Sequence, residues 1–377
     1  MTAPGGRRGA GSGARESALR VCEVIAARDR SNLYRVSQYL ADRRRYEAFI
    51  AMYSVMRVID DAVDSIADVR ALAPADLAAQ RREVAAWRKR IEEAYAPGRA
   101  GEGPGLPGQP TGTEPEPGQA RTADPAALQA ALAWAVSEFP VPLGIWTDFL
   151  EAMDYDLRHD RFQTSEEFLW YARGATAAPT TVFVYLLTAA ARSGGGTLPV
   201  RYEIEELGDG FDYRTCGRNL GIFAYLAHIL RDVAADLRIG RRGRIYVPLS
   251  DLSAVGLTEE GFRSVIESGR DDSRWSALVE RLVTRARSYE EPGFRMAFSR
   301  LPAMAPDCRF VLALIIRTYQ DLLARIAANP VAALRGEVDD PPGSGEELIR
   351  RAAADAGYAP PGLSASTPAS PGEGRRY

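Results

Sequence analysis

Lysine is almost missing from this chain: Lys89 stands alone among 47 basic residues, and all the others are arginine. Schiff-base chemistry is therefore excluded at every other basic position, and contacts to phosphate fall to guanidinium groups, whose planar fork grips pairs of oxygens. Coding bias accounts for the total, so an arginine matters only where its position gives it a role. With two histidines, His159 and His228, and three scattered cysteines, Cys22, Cys216 and Cys308, the chain offers no multi-histidine zinc site, thiolate cluster or disulfide framework. A reducing, cytoplasmic compartment fits that count. Long apolar runs are lacking too. The longest, Val182 to Ala191, falls well short of the roughly 20 residues needed to cross a bilayer, which leaves only peripheral membrane contact. The 47 basic and 50 acidic residues nearly cancel, so no global field recruits nucleic acid.

What is present is apolar material at helical spacing. Of 377 residues, 46% are apolar, enough for one large core or two modest ones. From Ala18 onward these residues recur with the helical period, while period-two runs are scarce and brief, so the fold class is all-α. Three segments depart from the pattern: a polar leader over 1–17, an insertion over 96–124 dense in Gly, Pro, Glu and Gln, and a Pro-, Gly- and Ser-rich tail over 339–377. All three are expected to be flexible. The flanks of the insertion have similar character and neither looks self-sufficient, which argues for a single domain over 18–338. No fixed-period repeat is present, so a solenoid is excluded and a bundle around a central cavity remains.

Two acidic clusters stand out. The stretch from Tyr46 to Ile66 contains neither proline nor glycine and runs Met52, Val55, Met56, Ile59, Val63 and Ile66 along one stripe, which predicts a single long helix. On its other edge Asp60 and Asp64 lie one turn apart with Asp61 beside them, and Arg57 and Tyr53 project to the same side. An acidic pair alone is ordinarily solvated surface. A cation, a phenol and carboxylates on one edge is a different mixture. Carboxylate oxygens without histidine or cysteine suit magnesium, which keeps positions for water and substrate phosphate; manganese is the alternative ion.

The second cluster repeats the spacing. Leu220 to Gly240 reads as a helix in which Asp232 and Asp236 are again one turn apart, with Arg231 ahead of them and Arg238, Arg241, Arg242 and Arg244 at its end. Complementing the helix dipole explains Arg238 and Arg241 without any ligand, but not both acidic pairs. Two such helices form a suitable cage for a diphosphate bridged by magnesium ions.

The segments RVIDDAVD and HILRDVAADLRIGRRGRIYVPLSDL resemble the paired signatures of the squalene/phytoene synthase family of head-to-head prenyltransferases. The likeness runs from about Ser31 to about Asn329 and takes in FLEAMDYDLRHDRFQTSEEFLWYA between the two motifs. It implies a single-domain isoprenoid-synthase-type helical bundle around a deep central cavity. Two prenyl diphosphates, farnesyl or geranylgeranyl, would bind there and condense through a cyclopropyl diphosphate to a squalene- or phytoene-type polyene, releasing pyrophosphate. By position, Asp60, Asp61, Asp64, Asp232 and Asp236 would hold metal, Arg57, Arg231 and Arg244 would contact diphosphate, and Tyr53, Tyr171 and Tyr246 would line the reacting centre. Aromatic faces stabilise a carbocation and apolar walls exclude the water that would quench it. Released pyrophosphate or a tyrosine is a better proton acceptor than His228, since a lone histidine in an apolar helix is more often packed core.

The pattern is broken in three places: Tyr225 and His228 stand where the family has Gln and Asn, Thr176 to Thr180 replaces Ala-Gly-x-Val-Gly, and Asn32 replaces Phe. Tyr225 and His228 precede Asp232 by seven and four residues and are expected to face the same cavity. Pro179 is expected to kink or end its helix. Two other functions stay open at this point. One is a terpene cyclase acting on a single prenyl diphosphate in the same fold, and the other is a non-catalytic isoprenoid-binding or partner subunit. Use of NADPH is unresolved, because no Gly-x-Gly-x-x-Gly follows a strand.

Overall fold

Prolines and side-chain caps set where most helices begin. The computed structural model describes residues 8–28, 31–64, 72–96, 124–192, 200–238, 243–338, 343–358 and 360. The first helices are α1 (Arg8–Ala26), α2 (Asn32–Ser37), capped by the Ser31 hydroxyl, and α3 (Arg43–Asp64). Then come α4 (Pro74–Ala94) and α5 (Pro125–Glu138), each opened by a proline whose missing N–H leaves nothing unsatisfied in a first turn. They are followed by α6 (Leu143–Asp156), α7 (Ser165–Ala172) and α8 (Ala178–Thr188). A short antiparallel pair, β1 (Ala190–Arg192) and β2 (Arg201–Glu203), leads to α9 (Tyr213–Asp236), whose cap Asp212 accepts from the amides of Arg214 and Thr215. The chain closes with α10 (Leu249–Ala254), α11 (Glu259–Ser268), α12 (Ser273–Arg300), α13 (Pro306–Ala328), α14 (Pro330–Arg335) and α15 (Ser344–Ala356).

The two predicted long helices are α3 and α9, with Ile66 and Gly240 lying outside the described residues. They pack with α8, α12 and α13 around one hydrophobic core. Arg45 pins α3 to the end of α8: its buried guanidinium donates to the carbonyls of Leu186 and Ala189, the latter at 3.1 Å. Between α7 and α8 the helical path continues through a π-helical stretch, Arg173–Ala177, and Pro179 sits in the first turn of α8. Pro179 therefore does not end a helix there; its missing N–H falls where π bonding gives way to α. That stretch lies close against α9. A Cβ on Gly221 would stand 2.6 Å from the Cα of Ala177, so only glycine allows the approach.

Two of the three expected flexible segments contain helix. In the leader, α1 begins at Arg8, continuing outward from the turns that bury Ala18, Leu19, Cys22 and Ile25. Arg15 in that extension lies 3.8 Å from a Glu47 oxygen and over the Trp134 ring at 5.1 Å. In the tail, α15 packs on α13, burying Ala352 and Ala356, with Leu348 and Ile349 against the core and Arg317 bonded to Asp355 at 2.7 Å. Composition hid a local apolar stripe, Leu348, Ile349, Ala352, Ala353 and Ala356, that follows helical spacing. Of the insertion, 97–123 lies outside the described residues, and Asp124 caps α5.

Candidate active site

The stripe of α3 that includes Tyr53, Met56, Arg57 and Asp60 and the stripe of α9 that includes Leu220, Ala224, His228 and Arg231 line one cavity of about 610 Å³. Its other walls come from α2, α6, α8 and α13 and from the π-helical stretch, through Phe149, Thr180, Val184, Leu312 and Ile315 among others. Charged and apolar side chains share it. Arg57, Asp60 and Arg231 keep about a third of their side chains in contact with solvent, at 30%, 36% and 34%, whereas Phe149, Phe223 and Leu312 are buried.

Three arginines hold the aspartates. Arg57 bonds Asp60 at 3.3 Å and Asp61 at 2.8 Å, so Asp61 serves Arg57 and is not part of the lining. Arg231 grips its neighbour Asp232 through two bonds, Nε at 2.7 Å and Nη2 at 2.6 Å. Arg244 joins the two clusters: its Nη1 donates to Asp64 Oδ1 at 2.6 Å and to the Tyr246 hydroxyl at 2.9 Å, while its backbone N–H donates to the Asp236 carbonyl at 2.9 Å. The turn that allows this passes through Gly243 in the left-handed region at φ +64. Arg161, buried in the loop between α6 and α7, donates to the Gly243 carbonyl at 2.8 Å and holds the segment that follows α9 against that loop.

The carboxylates press on one another. Enclosure by protein, then Asp64, pushes the Asp60 carboxyl up to about 7, against the lowering effect of Arg57. Burial, then Asp232, raises Asp236 to about 7, with Asp64 adding to the shift. Asp64 thus acts on both clusters, and they share one electrostatic site. Among the described residues no three acidic, histidine or cysteine side chains converge as ligands of one ion, the arginines occupying the oxygens of Asp60, Asp64 and Asp232. An all-carboxylate set whose members resist ionising together nonetheless fits a hard divalent cation, which would relieve that repulsion.

The tyrosines divide. Tyr53 lines the cavity and donates to the Ser31 hydroxyl at 2.7 Å. Tyr171, Tyr225 and Tyr246 lie instead in an aromatic cluster with Tyr155, Phe162 and Phe168, outside the cavity lining; Tyr225 stacks on Phe168 at 5.6 Å. His228 does line the cavity, so Tyr225 and His228 do not share a wall. Tyr225 follows Ala224 by a rotation of about 100°, which places it on the edge that also carries Asp232 and Asp236. Burial is the main reason that all three phenols of this cluster are held well above their ordinary range.

One residue of this region was not singled out from the sequence. Asp156, at the end of α6, is buried and accepts the Tyr171 hydroxyl at 2.5 Å. Burial pushes it up to about 8, with Arg244 opposing and Asp64 and Asp60 adding to the rise. Its signal was the second carboxylate of the DYD triplet, indistinguishable from surface until α6 and α7 are folded together.

An all-helical shell in which Arg57 and Asp60 of one helix and Arg231 of another line a single cavity, with Asp64, Asp232, Asp236 and Arg244 outside its lining and tied to one another by hydrogen bonds and charge, is the isoprenoid-synthase type of architecture. The chain belongs to the squalene/phytoene synthase family, whose profile matches residues 26–341. Among curated relatives, phytoene synthase of Arthrospira platensis is 24% identical over 84% of this chain and 85% of its own length, and chloroplastic phytoene synthase 3 of Zea mays is 25% identical over 84% and 61%. Against chloroplastic phytoene synthase of Narcissus pseudonarcissus, 28% identical, the matched region is 54% of this chain and 42% of the relative. The chain thus spans under half the length of several curated relatives it matches. In fold it is similar to a dehydrosqualene synthase in complex with ligand (TM-score 0.62, 19% identity, 90% of this chain and 96% of the other). It is similar also to a squalene synthase from Alicyclobacillus acidocaldarius (0.58, 18%, 83% and 94%). No described helix is long and apolar enough to cross a membrane.

Proposed function

We propose that this chain is a magnesium-dependent prenyltransferase that condenses two prenyl diphosphates, farnesyl or geranylgeranyl, head to head through a cyclopropyl diphosphate to a squalene- or phytoene-type polyene. The observation that carries the reading is one cavity lined both by Arg57, Asp60 and Arg231, which keep contact with solvent, and by buried Phe149, Phe223 and Leu312. That lining suits an amphiphile with an anionic head. The head would lie among Arg57, Arg231 and Arg244, which stay charged at any physiological pH, and the isoprenoid chain among Phe149, Val184, Phe223, Leu312 and Ile315.

Magnesium, held by Asp60, Asp64, Asp232 and Asp236, would neutralise the charge that develops on the departing pyrophosphate. The chain's own residues do the rest. The arginines orient the diphosphate, the apolar wall excludes water from the allylic cation, and Tyr53 presents an aromatic face inside the cavity. Incubation with farnesyl or geranylgeranyl diphosphate tests this. The expected result is pyrophosphate release that depends on Mg²⁺ and is silenced by EDTA, with a hydrocarbon of twice the substrate's carbon number. A product of unchanged carbon number would make the chain a cyclase of one diphosphate. Absence of release at either chain length, with Mg²⁺ or Mn²⁺, would make it a non-catalytic binder.

A further inference from the structure

Three polar side chains from three helices meet in the cavity wall. The Tyr319 hydroxyl of α13 lies 2.8 Å from Nε2 of His228 on α9, the two rings 5.1 Å apart at 43°. Asn32, the first residue of α2, is near enough to the same phenol to lower it against the effect of burial. All three line the cavity among Phe223, Leu312, Ile315 and Ile316.

A wall meant only to shelter a hydrocarbon has no use for such a chain, since each desolvated polar group costs free energy unless bonded. Two of the three, Asn32 and His228, are also positions where the sequence departs from the family pattern, and they share Tyr319. The imidazole is neutral, because burial pushes it down to about 4. The charges acting on it are Arg231 and Asp232 of its own helix, which oppose each other; Tyr319, which faces it from α13, is uncharged. With its proton on Nδ1, the ring accepts from Tyr319 through Nε2. By contrast Asp60, Asp64 and Asp232 are each engaged by an arginine.

Resting on the prenyltransferase reading above, we infer that Tyr319 and His228 remove the proton that ends the reaction. The C–H bond beside the final carbocation breaks, and its electron pair becomes the new C=C bond. The proton passes to the Tyr319 oxygen as the phenol's own proton passes to His228 Nε2. The resulting imidazolium lies near Asp232 and returns its proton to solvent with product release. Tyr319 is the catalytic residue, His228 acts through it, and Asn32 positions the phenol. The product is then a polyene made by proton loss, and no reductant is consumed.

The test uses the full chain with Mg²⁺ and each of farnesyl and geranylgeranyl diphosphate, scoring polyene formed per pyrophosphate released. In Tyr319→Phe and His228→Asn that ratio should fall by about tenfold or more, with stalled diphosphate intermediate or alcohols from water capture in its place. An unchanged ratio in both variants, with melting temperatures near wild type, overturns the inference. A second arm needs no variant: the wild-type product should have the same mass with and without NADPH, and a product two hydrogens heavier with NADPH overturns it. Wild type that releases no pyrophosphate sinks the parent reading, and this inference with it.

Discussion

Arg244 and Asp64, 180 positions apart in the chain, are joined by a 2.6 Å hydrogen bond that ties the end of the first aspartate helix to the turn after the second. The guanidinium is 9% exposed and its partner 49%, so the bond sits at the rim of the buried region. It converts two local motifs into one site.

Replacing Arg244 with Gln should therefore lower pyrophosphate release by about 10²- to 10³-fold, the cost typical of losing one preorganised donor to a developing oxyanion. Arg244→Lys should rescue poorly, because an ammonium cannot reproduce the fork that reaches Asp64 and Tyr246 together. Steady-state release kinetics check both. Activity within threefold of wild type in Arg244→Gln would remove Arg244 from the site.

Asp156 and Tyr171 form a buried pair, and their replacements should separate by polarity rather than by charge. Asp156→Asn retains an acceptor for the phenol and should melt near wild type. Asp156→Ala strands the Tyr171 hydroxyl and should lose about 1–3 kcal/mol. Chemical denaturation of the two variants side by side decides it. Equal losses would mean that the bond contributes nothing.

The metal-free protein should become more stable as pH falls from about 8 to about 6. Asp60, Asp236 and Asp156, raised to about 7, 7 and 8, bind protons in the folded state that an unfolded carboxylate near 3.8 does not take up. His228, lowered to about 4, opposes them only below its ordinary 6.5, where the unfolded chain takes the extra proton. Three groups outweigh one. Magnesium competes with these protons, so the rise in melting temperature on adding Mg²⁺ should be larger at pH 8 than at pH 6. A metal-induced shift that ignores pH would count against carboxylate ligation.

Truncation before Gly343 should destabilise the bundle, because α15 covers α13 and the Arg317–Asp355 bond goes with it. A melting temperature lower by several degrees, measured by calorimetry, is expected. An unchanged one would return the segment to the status of an appendage.

What could be read from the sequence was local. Asp60 with Asp64 and Asp232 with Asp236 are one helical turn apart, so their faces follow from the 3.6-residue period before anything packs. The all-α class was legible for the same reason. What could not be read was tertiary. Asp156 gains its meaning from Tyr171 fifteen residues later, and Tyr319 gains its own from His228, 91 residues earlier. Tyr225 and His228 were expected on one wall because both lie near Asp232 in register, yet a residue's rotation on α9 sends Tyr225 to Phe168 and leaves His228 on the cavity. Composition misjudged α15 and the outer turns of α1, where short stripes with partners elsewhere in the bundle outweighed a polar average.

The sharpest measurement is Mg²⁺-dependent pyrophosphate release by Asp60→Asn, Asp236→Asn and the double variant. If the two aspartate pairs act as one unit on one diphosphate, either single change abolishes turnover and the double is no worse than the singles. Near-wild-type release by either single variant would contradict the account.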